Sequence, residues 1–477
     1  MIPSFNPHEY QDKAIQFGAP LDRFNLLMSP GMGKTACSIM IMEHRSLVAD
    51  SYPALAIGPM RVANSVWTRE VTKWAQFKGL RVVKILGPLS ERIAALNTPA
   101  DIYTIHYGLL KWLHLYLTET GKPWPFKTVI ADESTRLKHA RPSFRKDKRS
   151  GKTNLYIAGS ANAGALARYA PRTPYWINMT GTYTPNGLQD AWGQQWFIDF
   201  GSTLGHSYDA FSKRWFYQRR GTSAEQAVFE PFPHALDEIT ERLKASTISL
   251  DAYDWFDVAR PREVDMEFEL PEKLMKDYRK LHREAVLKLE NETVITAVNA
   301  GAICGKCMQY ASGNVYDEDA NSHFIHTEKL DLLESLHENL NGAPLLVAYH
   351  FKPTREAILK RFPFAELLPG DHRQKEVEDR WNAGKIPMLV VHPASAGHGL
   401  DLQHGGHNLC IVDPYWDYEM YAQVIERIGP VRQKQAGYDR LVNVYRLIAR
   451  HTFDRVVVDR LTTKASVESA VKQAMLQ

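Results

Sequence analysis

The chain has 477 residues, 44% of them hydrophobic, and a formal net charge of only +4. This suits about two to four domains with substantial cores and excludes a disordered chain. The small net charge leaves any nucleic-acid contact to local clustering. The four cysteines suit a reducing compartment, and no run of about 18 apolar residues marks a membrane span. The segment Met1–Tyr10 lacks the basic-then-apolar order of a secretion signal, so a cytoplasmic location is expected.

In chain order, Phe24–Met28 reads as a strand that runs into Ser29-Pro-Gly-Met-Gly-Lys-Thr35. Apolar runs follow at Ala54–Ile57, Val82–Ile85, Ile102–Ile105, Thr128–Ala131 and Tyr175–Met179, with helical stretches between them. Continuous apolar strands separated by helices indicate a parallel sheet covered on both faces. From 201 to 325 the sequence is more polar and aromatic, with a helix expected over Glu272–Leu289, and reads as a helical protrusion and linker. The strand pattern returns at Leu345–Tyr349, Met388–Val391, Leu409–Val412 and Leu441–Tyr445, with helices expected over Thr354–Arg361 and Arg373–Ala383 and in the tail. The expected fold is α/β, with two parallel-sheet lobes over 1–200 and 326–477 and the helical segment 201–325 between them.

The chemistry is concentrated at three strand ends. Pro30, Gly31, Met32 and Gly33 form a turn whose glycines let backbone N–H groups face phosphates. Lys34 is expected on the β- and γ-phosphates and the Thr35 hydroxyl on magnesium. Met28 stands where the usual pattern begins with glycine. Val129-Ile-Ala-Asp-Glu133 reads as a buried strand ending in two carboxylates. Asp132 is expected to hold magnesium through water, and Glu133 to act as general base on the attacking water. Thr180-Gly-Thr182 ends another strand; it reads either as an ordinary turn or as a device that couples hydrolysis to movement.

Arg136, Lys138, Arg141, Arg145, Lys146, Lys148, Arg149 and Lys152 form a basic run broken only by Asp147. Clustered cations of this kind neutralise phosphates and make affinity salt-dependent, whereas the bland alternative is a solvated loop. Gly and Ser near 150 suggest that the loop orders on binding. A second basic and aromatic stretch, Phe211–Arg220, reads first as packing and second as a base-stacking surface. Cys304 and Cys307, with His323 and His326, lack the spacing of a zinc site, so no structural metal is expected.

Taken together, these segments resemble the superfamily-two helicases, and within them the Swi/Snf-type translocases. Tyr10-Gln11 resembles the adenine-reading motif, Ser29–Thr35 motif I, and Gly58-Pro59 with Trp67, Glu70 and Trp74 motif Ia. Thr104–Tyr107 resembles motif Ib and Asp132-Glu133 motif II. Thr180–Trp192 is similar to motif III and its extension. Leu346–His350 resembles motif IV, Ser395–Leu402 motif V, and Gln423–Arg427 the start of motif VI. The compact length resembles small bacteriophage members.

The resemblance implies two RecA-like lobes, ATP with Mg2+, and DNA as partner. It places Tyr10, Gln11, Gly399 and Asp401 at the nucleotide, and Thr180, Gly181, Thr182 and Gln423 in coupling. It places Thr104 and Ser395 on nucleic acid beside Arg136, Lys138, Arg145, Lys146, Lys148 and Arg149. Asp401 has helix capping as its alternative. Motif II ends Glu-Ser-Thr where many relatives have Glu-Ala-His. Pro430 occupies the position of a usual second arginine, and Gly429-Pro430 should end the helix. Arg427 is therefore the first choice for an arginine finger. Arg432 in the following loop is the second, with a solvated or structural role as its alternative. The implied activity is an ATP-dependent helicase or translocase acting on duplex or branched DNA in the host cytoplasm, in phage replication or recombination, with proteins of those pathways as partners. An RNA helicase and an ATP-switched nucleic-acid clamp stand as alternatives.

Overall fold

Short apolar runs become strands here because each is buried on both faces of a sheet and its backbone groups are paired by neighbours. The computed structural model describes residues 2–147, 150–219, 228–291, 297–317, 319, 321–371, 373–396 and 400–475. The chain forms two units, each with its own parallel sheet, and the α/β class with two RecA-like lobes is what the structure shows.

The first unit comprises Met1–Arg219, Phe229–Trp255 and Ser466–Gln477. Its strands are β1 (Arg23–Met28), β2 (Ala54–Gly58), β3 (Val82–Lys84), β4 (Ile102–His106), β5 (Thr128–Asp132), β6 (Tyr175–Thr180) and β7 (Thr247–Leu250). They lie in the order β7-β1-β6-β5-β2-β4-β3, every pair parallel. The neighbours β1, β6 and β5 therefore end side by side, and their C-terminal ends are where ligands of open α/β sheets bind. Trp67, Trp176, Trp192, Trp196 and Trp215 are fully buried in this unit and account for much of its apolar core.

The second unit includes Phe256–Ala465. Its strands are β8 (Arg262–Phe268), β9 (Leu345–Ala348), β10 (Glu366–Leu367), β11 (Met388–Val391), β12 (Asn408–Ile411) and β13 (Asn443–Ala449). The order is β8-β13-β12-β9-β11-β10, again all parallel. The edge strand β8 is lined with acids. Glu263 and Asp265 pair with Arg446, and Glu267 with Arg450 and Arg455. Charged side chains of this kind discourage further pairing on the open edge.

The stretch 201–325, expected as helical protrusion and linker, holds the helices Tyr208–Trp215, Ala235–Leu243, Glu272–Asn291 and Ala297–Ala311. It also supplies β7 to the first sheet and β8 to the second, a difference from the sequence expectation. Four residues of Thr-Ile-Ser-Leu and an acid-rich heptad carry little apolar signal of their own, and pairing with β1 and β13 is what makes them strands. The basic run, expected as a loop, forms an antiparallel hairpin of Ser143–Lys146 with Thr153–Tyr156. The tail helix Phe453–Ala474 was expected with the second lobe, but its residues from Ser466 onward belong to the first unit.

Candidate functional site

The loop after β1 turns through Gly31 and Gly33, both near φ +80° (83° and 82°), a backbone region that glycine enters without strain. A Cβ at Gly33 would also come within 2.5 Å of Gln11 Nε2. Gln11 holds this turn: its Nε2 donates to Met32 O at 3.0 Å and its Oε1 accepts from His8 N–H at 2.9 Å. Tyr10 stacks on His8 with ring centroids 5.5 Å apart and leans on Trp255 at 5.9 Å. Burial pushes its hydroxyl up to about 12. Behind the loop, Ser29 Oγ accepts from Ala252 N–H at 3.1 Å, tying the turn to the end of β7. That support came from a strand the sequence did not signal. Lys34 opens the helix Lys34–Ser46, and its ammonium donates to Met28 O at 2.8 Å. Pro30 and Thr35 flank it, both half-buried.

β5 delivers the carboxylates. Asp132 is its last residue, and Glu133 follows at φ 64°, ψ 60°. For a non-glycine residue this left-handed conformation is uncommon, and such strain persists where surrounding contacts over-determine it. Those contacts are visible. The Tyr107 hydroxyl lies 3.1 Å from Asp132 O and 3.2 Å from Glu133 O. Thr180 Oγ1 lies 2.7 Å from Glu133 Oε1 and 2.7 Å from Thr182 O, and it accepts from Thr182 N–H at 3.1 Å. A hydroxyl has one proton, so Thr180 donates either to Glu133 or to the turn that follows it. Gly181 lets β6 meet the phosphate loop, since a Cβ there would stand 3.1 Å from Pro30 Cδ. Burial pushes the Asp132 carboxyl up to about 7; Lys34 opposes the shift and Glu133 adds to it. The Asp132 carboxylate and the Thr35 hydroxyl offer hard oxygens, the ligand type that magnesium takes.

The residues expected on nucleic acid divide. Arg136, Arg145 and Lys146 are exposed, and Arg145 lies over the Tyr156 ring at 5.1 Å. Lys138 turns inward instead, its Nζ 3.9 Å from the buried carboxylate of Asp190. Thr104 requires correction. It is fully buried in β4 and its hydroxyl donates to Ala63 O at 2.6 Å, so it serves the core. Lys148, Arg149 and Gly399 lie outside the described residues. In the second cluster, Phe211, Trp215 and Phe216 are buried in the first unit's core. His326 Nε2 is 2.9 Å from Tyr310 O and His323 Nε2 is 2.7 Å from Asp317.

In the second unit, Ser395 is half-buried in the turn of helix Pro393–Ala396. Gln423 lies on the helix Tyr418–Glu426, its amide 3.3 Å from Glu419. That helix ends at Arg427, as Gly429-Pro430 predicts. Pro430 then occupies the first turn of a new helix, Pro430–Gln435, where proline lacks no needed donor. Arg432 therefore sits on a helix rather than in a loop, and its guanidinium pairs with Asp401 at 2.5 Å. The capping alternative for Asp401 gives way to this ion pair. Arg427 is buried and donates to Gln423 O at 3.1 Å and Leu400 O at 3.2 Å.

The geometry defines a parallel α/β protein with a glycine turn, two carboxylates and a Thr-Gly-Thr turn on three adjacent strand ends. The chain is 42% identical over 478 residues to the protein p41 of Acyrthosiphon pisum secondary endosymbiont phage 1, covering 99% of each, and it belongs to the family of that phage protein. No family model matches it. The SWI2/SNF2 ATPase core of Sulfolobus solfataricus, solved in complex with dsDNA, is similar at 16% identity and a TM-score of 0.42, covering 99% of this chain and 94% of that one. Among the described residues no helix is long and apolar enough to cross a membrane.

Proposed function

We propose that this chain is a DNA-dependent ATPase that couples hydrolysis to movement on, or remodelling of, duplex or branched DNA. The observation that carries the reading is the contact of Thr180 Oγ1 with Glu133 Oε1, beside the phosphate loop. It joins the residue expected to activate water to the turn expected to respond. In this reading Tyr10 and Gln11 flank the nucleotide base, and the loop from Pro30 to Gly33 cradles the phosphates. Lys34 leaves the Met28 carbonyl for the β- and γ-phosphates. Thr35 and Asp132 are the residues that would hold magnesium, whose charge would offset that of the phosphates. Glu133 takes the proton of the attacking water, and Thr180 then donates to the Thr182 carbonyl instead. For the second unit's residues the proposed roles are stabilising charge on the transferred phosphoryl group for Arg427, nucleotide binding for Asp401 and coupling for Gln423. The hairpin cations Arg145 and Lys146, with Arg136 and Ser395, contact the DNA backbone. The relative in a phage fits a phage-encoded protein, and in this reading the activity serves phage DNA replication or recombination in the host cytoplasm.

The test is steady-state ATP hydrolysis with no nucleic acid, single-stranded DNA, duplex DNA, forked DNA and RNA. Stimulation by DNA, strongest with duplex or forked substrates, is expected. Stimulation by RNA alone makes the protein an RNA helicase, and ATP binding without stimulated turnover makes it a clamp. Neutralising Arg145, Lys146 and Lys152 together should weaken DNA binding and lower the log–log salt slope by up to about 3. An unchanged slope returns the hairpin to a solvated face.

A further inference from the structure

Motif II continues into Ser134, and this serine is fully buried. Its hydroxyl donates to Gln194 Oε1 at 2.8 Å. Gln194, also fully buried, passes the connection on, because its Nε2 donates to Tyr183 O at 2.7 Å and Asp190 O at 3.1 Å. The far side of the same segment is held by Glu468 from the tail helix. Its two carboxylate oxygens accept from Tyr183 N–H and Thr184 N–H, each at 2.7 Å, and from the Thr184 hydroxyl at 2.9 Å. Glu468 is only 2% exposed. A buried carboxylate needs such donors, and two backbone N–H groups on one carboxylate leave the segment a single low-energy position.

We propose that Ser134, Gln194 and Glu468 are positioning residues that hold the Thr180–Thr184 segment, and through Thr180 the carboxylate of Glu133. The motif therefore has two links to the turn: a partly buried one from Glu133 through the Thr180 hydroxyl, and a buried one from Ser134 through Gln194. Alanine at position 134 would have no proton to give Gln194, so the second link depends on the serine that distinguishes this motif. The tail helix is the outer clamp, and the turn is complete only when the part of that helix carrying Glu468 is docked. This inference rests on the hydrolytic reading of Glu133.

The test uses the full chain with Ser134→Ala and Glu468→Gln, beside wild type and Glu133→Gln. ATP turnover and amide hydrogen exchange are both read at a temperature where every variant is folded. The expected result is a kcat at least about tenfold lower in both variants with KM for ATP within about twofold, since small misplacements of a catalytic group act on kcat. In Glu468→Gln, exchange should quicken in peptides covering 132–137 as well as 180–186. Unchanged kcat, or loss of kcat only in proportion to unfolded protein, overturns the proposal. So does faster exchange confined to 180–186. If wild type shows no turnover at all, the hydrolytic reading fails, and exchange at 132–137 still decides whether the link exists.

Discussion

Buried polar groups do different work in the two units. In the first, they gather at the end of β5: Tyr107 touches the backbone carbonyls of Asp132 and Glu133, Thr180 touches the Glu133 carboxylate, and Ser134, Gln194 and Glu468 hold the segment that follows Thr180. In the second, they hold the fold. Lys329 Nζ sits 2.7 Å from Asp454 with both side chains buried, and Asp413 accepts from His350 N–H at 3.0 Å and Phe351 N–H at 3.2 Å. His326 is spent on the Tyr310 carbonyl and Arg432 on Asp401. A similar inventory of charged and polar residues thus fixes the group proposed as the base in one sheet and stabilises packing in the other. What separates them is the partner: Glu133 is met by the hydroxyl of Thr180, whereas Asp413 accepts from the backbone N–H groups that follow β9.

The strongest challenge to this contrast is Glu133→Gln. It keeps the shape and the Thr180 contact but removes the base, so turnover should fall by about 10²–10⁴ with ATP binding retained. Near-normal turnover would dissolve the functional half of the comparison. Arg427 is the proposed exception in the second unit. Arg427→Ala should lower kcat by about 100-fold or more, whereas Arg432→Ala should cost less than about 1 kcal/mol of stability, because its partner Asp401 is half exposed. If only Arg432→Ala stops turnover, the two roles are exchanged.

Lys329→Met should strike stability alone. It strands Asp454 without its cation, and breaking such a pair costs about 3–5 kcal/mol, readable as a lower urea midpoint. Turnover per folded molecule should remain within about twofold. A smaller effect than that of Lys329→Met is set by pH. Burial lowers the His326 imidazole from its ordinary 6.5 to about 4, so the folded protein keeps it neutral. The stability it contributes is present above 6.5 and is lost as pH falls from 6.5 toward 4, reaching about 2 kcal/mol at pH 5. His326→Gln should flatten that part of the pH–stability curve, and an unaltered curve would remove His326 from the stabilising set.

The central strands of both sheets and the glycine turn before the helix Lys34–Ser46 were legible because their signals are local. A buried parallel strand must be an unbroken apolar run, and a phosphate cradle needs glycines before a helix. Asp132 and Glu133 were legible for the same reason, as two acids closing such a run. Thr104 misled because motif position says nothing about which way a strand side chain faces. β7 and β8 were hidden because short polar strands acquire their identity from the neighbours that pair with them.

The sequence by itself determined the α/β class, the order of the main strands, and the residue types offered to a nucleotide at their ends. Only the tertiary structure decided that Arg432 is held by Asp401, that Lys138 faces Asp190, and that Glu468 near the chain's end grips the backbone of Tyr183 and Thr184. The physical reason is separation along the chain. Strand patterns and glycine turns are written within a few residues, whereas a buried charge takes whichever donor the packed chain brings to it, here from 284 or more residues away.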